Sequence, residues 1–68
     1  MRTVATKLSP DAIKGEATRL GIVWSEATGL LIHSFEDGSA ALVVQPGDHA
    51  DATRLVDHLV AQGLAGPT

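Results

Sequence analysis

Residues 22–45 read IVWSEATGLLIHSFEDGSAALVVQ. Short runs of β-branched and aromatic residues broken by turn formers predict three strands, Ile22 to Ser25, Leu30 to Glu36 and Ser39 to Gln45. Glu26 to Gly29 reads as the first turn. Asp37-Gly38 is the strongest local signal in the chain and reads as a two-residue type I′ hairpin turn, and Pro46-Gly47 ends the last strand.

Working outward, Ser9-Pro10-Asp11 is a helix start: a side-chain oxygen to cap free amides, proline at the first helical position and an acid in the first turn. The spacing of Ile13, Ala17 and Leu20 places one apolar stripe on a helix from Pro10 to about Leu20, which Gly21 ends, with Ile22 folding back. A second helix is predicted from His49 to Gln62, with Asp48 as its cap and Asp51 at its third position. Ala52, Leu55, Val56, Leu59 and Val60 form its inner face, Gly63 its stop, and Leu64 packs back on Leu59. The expected fold is therefore α+β: helix, three-stranded antiparallel meander, helix, with both helices packed on one face of the sheet. The expected organisation is a flexible arm over residues 1–8, favoured over an extra edge strand through Thr3, Val4 and Ala5, with a single domain over 9–64 and a frayed end at 65–68.

A two-residue turn sets Phe35 opposite Ala40, His33 opposite Leu42 and Leu31 opposite Val44. With Ile22 and Trp24 these side chains, all on one face, form the floor for the helices. The opposite face then carries Val23, Leu30, Ile32, Ala41 and Val43, ringed by Ser34, Glu36, Ser39 and Gln45. An apolar centre with a polar rim is the pattern of an interaction patch. Those five residues are the candidate protein interface, and burial of Leu30, Ile32 and Val43 would each contribute on the order of 1.5 to 3 kcal/mol before association entropy.

Composition narrows the function classes. The chain has 68 residues, no cysteine, 44% hydrophobic residues and a net charge of −3. At this length only about 60% of the unfolded chain's surface is buried on folding. Without disulfides or thiolate metal sites, stability rests on packing or association. The hydropathy argues against disorder. Arg2, Lys7, Lys14, Arg19 and Arg54 are scattered, whereas a nucleic-acid binder shows a basic stripe. Residues 1–8 lack the apolar run of a secretory signal, and no stretch approaches the roughly 20 apolar residues of a membrane span. The expectation is a cytoplasmic protein with no cofactor, forming a homodimer or binding a protein partner, with neither nucleic acid nor membrane.

Residues capable of chemistry do not assemble into a motif. His49 and His58 lie nine positions apart on one helix, about 180° around its axis, and cannot share a ligand. His33 falls among Leu31, Phe35 and Leu42 and reads as a core histidine. Asp48, His49 and Asp51 offer at most a weak surface cation site, which capping already explains. Asp51, Arg54 and His58 share a solvated helix face, where Arg54 meets Asp57 or His58. Ser25, Ser34 and Ser39 have no adjacent base. Most of the glycines punctuate element ends and cradle no phosphate. Trp24 and Phe35 read as core rather than as base-stacking platforms. The chain is read as having no enzymatic activity.

The predicted element order resembles that of double-stranded-RNA-binding-like domains, and in length the chain is similar to small HicA-type toxins. That resemblance implies a nucleic-acid-associated protein, and in the toxins a histidine early in the second strand after a glycine. Here Thr28-Gly29-Leu30-Leu31 stands at that place, His33 follows two residues later, and the likeness is one of layout. The hairpin after Leu20-Gly21-Ile22 also resembles β-hairpin docking domains of peptide-synthetase subunits, which implies binding of a partner's tail by strand addition.

Overall fold

The computed structural model describes residues 2–67 and has an α+β architecture: two helices and a four-stranded antiparallel sheet. The order is β1 (Arg2–Thr6), α1 (Pro10–Arg19), β2 (Leu30–Ser34), β3 (Ala40–Val44), α2 (Ala50–Ala61) and β4 (Ala65–Pro67), with a 3-10 turn at Glu26–Thr28. Across the sheet the strands lie β2-β3-β1-β4. Each helix thus crosses between two parallel strands that hold a third, antiparallel strand between them. This is the ferredoxin-like arrangement of two interlocked split β-α-β units.

Three of the four helix ends form as the sequence predicts. The Ser9 side chain accepts from the Ala12 N–H at 3.2 Å, and Pro10 occupies the first turn. At the C-terminus of α1, Gly21 N–H donates to Thr18 O and Ile22 N–H to Ala17 O. Around α2, Gly63 N–H donates to Val60 O and Leu64 N–H to Leu59 O. Each helix therefore closes in the same two-bond motif. The cap of α2 is His49 rather than Asp48, and Asp51 lies in the first turn.

Three expectations are corrected. Residues 2–6 are not an arm but an inner strand, with Arg2 opposite Val44 through Thr6 opposite Ala40 on one side, and Val4 opposite Pro67 through Thr6 opposite Ala65 on the other. Thr6 is buried because its hydroxyl donates to Leu64 O at 2.6 Å and accepts from Leu8 N–H at 3.1 Å, leaving no orphan polar group. Residues 65–67, expected to fray, form β4; Thr68 lies outside the described residues. Ile22 to Ser25 is not a strand. The Ile22 amide closes α1, and the Ser25 amide donates to Thr28 Oγ1 at 3.0 Å in a capping box over the 3-10 turn. The meander is thus the hairpin β2-β3 alone, with β1 and β4 completing the sheet.

The core lies between the helices and one sheet face. It comprises Val4, Leu30, Leu42 and Val44 from the sheet, Ile13 and Ala17 from α1, Ile22, and Ala52, Leu55, Val56 and Leu59 from α2. Leu8, Leu20, Trp24, Ile32 and Ala65 pack around it. Full burial of Ile13, Leu42, Leu55 and Leu59 contributes roughly 1.5 to 3 kcal/mol each. Val60 lies at the margin, 39% exposed.

Candidate functional site: the uncovered sheet face

The helices cover one face of the sheet, and register decides what the other presents. The hairpin pairs Leu30 with Val44, Ile32 with Leu42 and Ser34 with Ala40. Phe35 N–H donates to Ser39 O at 2.8 Å and Gly38 N–H to Phe35 O at 3.2 Å, which leaves Glu36, Asp37 and Gly38 as a three-residue loop. A type I′ turn needs positive φ at both central residues, and among the described residues no non-glycine has it; of the three loop residues only Gly38 has positive φ, at 89°. Asp37 helps fix the loop, its carboxylate accepting from the Ser39 N–H at 2.9 Å and the Ser39 hydroxyl at 2.5 Å. These bonds, the hydroxyl's first, hold the Asp37 carboxyl below the ordinary aspartate range.

One extra loop residue shifts the pairing by one position and reverses β2. Leu30 is in the core, and Ile32 packs against it. Leu31, His33 and Phe35 point to the open side instead, Leu31 and Phe35 about half exposed at 52% and 48%. Of the predicted interface, Ala41 and Val43 are on the open face; Val23 projects from the loop after α1, 83% exposed. The predicted sheet floor is found for Ala40, Leu42 and Val44 and reversed for Leu31, His33 and Phe35, while Ile22 and Trp24 pack at the core from the loop after α1 rather than from a strand.

The open face is a grid. One row runs Leu31, Val43, Thr3; the next runs His33, Ala41, Ala5, Gly66. Alanine and glycine form a low floor, and the β2 side chains form a wall beside it. Phe35 meets the His33 ring edge-on, centroids 5.0 Å apart. His33 is the one ionisable side chain of the two rows and Thr3 the one hydroxyl; Leu31, Val43, Ala41 and Ala5 are apolar.

Several other polar side chains are engaged elsewhere. His58 Nε2 lies 3.2 Å from Glu16 Oε2 and joins the two helices. His49 lies against Gly29 and Gly47. The three histidines are thus separate, and among the described residues no three metal-ligating side chains converge. Arg54 meets neither Asp57 nor His58: it reaches Asp51 at 3.6 Å and donates to Leu20 O at 3.0 Å, while Asp57 pairs with Arg2. Lys14 lies over the Trp24 ring, 5.9 Å from its centroid.

A cleft of about 750 Å³ at the hairpin end is lined by Thr6, Lys7, Asp37, Ser39 and Leu64 among others. The Thr6 and Asp37 oxygens there already hold Leu64, Leu8 and Ser39. The hydroxyl-carboxylate pair of Ser39 and Asp37 meets there within the hairpin loop, where the same carboxylate also accepts from the Ser39 N–H. No described helix is long and apolar enough to cross a membrane. Comparison of the chain with protein-family models, curated proteins and solved structures finds no match.

Proposed function

We propose that this protein is a small non-enzymatic interaction or assembly module that self-associates or binds a protein partner through the open face of its sheet. The observation that carries the reading is one whole sheet face left uncovered while presenting Leu31, Val43, Ala41, Ala5 and the His33-Phe35 pair. Apolar side chains around a small-residue floor suit a protein surface. Sheets of this topology that read RNA stack bases on aromatic side chains. Here the inner strands present Thr3, Ala5, Ala41 and Val43, and no basic residue stands in either row. The nucleic-acid reading therefore ranks second, and binding to duplex or single-stranded RNA that weakens steeply with salt would restore it.

The test is Val43→Glu, on an inner strand and outside the core. The variant should fold as the native chain does and either show a smaller molar mass in light scattering or lose a captured protein partner. Unchanged association in a folded variant would remove the face as the interface.

A further inference from the structure

The two edges of the sheet are unlike. β4 is three residues long and ends in Pro67, which has no N–H to offer, so that edge is blunt. β2 reads Leu-Leu-Ile-His-Ser over residues 30–34 and has none of the usual guards: no proline, no lysine, no acid.

Its hydrogen-bond phase is set at both ends of the hairpin. Gln45 N–H donates to Gly29 O, and Phe35 N–H to Ser39 O. Bonded pairs in an antiparallel ladder recur at every second residue, so Leu31 and His33 exchange with Val43 and Ala41. Leu30, Ile32 and Ser34 turn their N–H and C=O groups away from β3, and among the described residues no other backbone group meets them.

We propose that this edge pairs with the β2 edge of a second copy, antiparallel about a two-fold axis at Ile32, to give a continuous eight-stranded sheet. In that register Ile32 faces Ile32 of the second copy and Leu30 faces Ser34, so every outward N–H and C=O meets its complement. Leu31 lies beside His33 of the second copy on the open face, which covers the most exposed leucine of the sheet. No charge opposes its like, since residues 30–34 hold no acid or lysine. Sliding the axis to Ser34 would set Glu36 against Ile32 and leave Leu30 unpaired, so Ile32 is the favoured centre. The pairing concerns the edge and stands independently of the reading of the face; it would set two open faces side by side.

The test uses the full chain carrying Val43→Glu, which removes association through the face. Light scattering should give this variant the mass of a dimer. Adding Ser34→Pro should reduce it to a monomer, because that proline removes an outward N–H and nothing from the β2-β3 ladder. A Val43→Glu chain that is monomeric at every concentration overturns edge pairing and leaves the face reading intact. A folded double variant that stays dimeric also overturns it. Amide exchange on the native chain decides the matter without a proline: Ile32 and Ser34 should slow by about tenfold or more on concentration. Equal rates at low and high concentration would sink the proposal.

Discussion

The imidazole of His49 lies directly over Gly29: a Cβ at Gly29 would fall 2.2 Å from ring atoms Cγ and Nδ1. This contact ties the entry of α2 to the start of β2, and Gly29 also holds φ 77° and accepts the Gln45 amide at 2.9 Å. Gly29→Ala should therefore cost more than the roughly 1 to 2 kcal/mol of a left-handed non-glycine residue; a loss of about 3 kcal/mol in urea unfolding is expected. In a His49→Ala background the same change should cost the backbone strain alone. Equal losses in both backgrounds would show that the ring is not what the methyl meets.

β1 holds the sheet together from within, since it pairs with β3 and β4 at once. Removing residues 2–6 should abolish cooperative unfolding, seen by circular dichroism. Thr6→Val keeps the shape but strips the buried partner of Leu64 O and Leu8 N–H, at about 1 to 3 kcal/mol. Thr6→Ser should recover most of that loss. A truncated chain that unfolds like the native one would make these residues an arm after all.

Much of this architecture was legible in sequence where local chemistry decides it. Ser9-Pro10, Gly21-Ile22 and Gly63-Leu64 define helix ends through bonds within a few residues, and they are found as read. β1 was only weakly marked, and β4 hidden, for a physical reason. Val4 is the one strongly apolar residue of β1, Thr6 is buried through hydrogen bonds, and Ala65-Gly66-Pro67 has no strand propensity; tertiary pairing makes both strands. The site was half legible. Asp37-Gly38 suits a two-residue turn and also the end of a three-residue loop, and the choice reverses β2 while leaving Ala41 and Val43 in place.

That reversal can be checked by paired substitutions. Ile32 packs against the core and Leu31 is half exposed on the open face. In dilute solution, Ile32→Glu should cost roughly 2 to 4 kcal/mol in denaturant unfolding. Leu31→Glu should stay within about 0.5 kcal/mol of the native chain. The two-residue turn demands the opposite ranking, so the order of the two midpoints decides the register.

The hairpin loop also predicts a pH response. The Asp37 carboxyl is held low chiefly by the Ser39 hydroxyl and then by the Ser39 amide. A carboxyl with a folded pKa below its unfolded value stabilises the fold above the unfolded pKa, and that contribution fades as pH falls through the folded one. The Asp37 carboxyl resonance should titrate below the ordinary aspartate range, and the Ser39 amide shift should follow it. Ser39→Ala removes the hydroxyl and keeps the amide bond, so the midpoint should rise part of the way back. An unmoved midpoint would mean that the hydroxyl does not hold the carboxylate in solution and that the backbone alone shapes the loop.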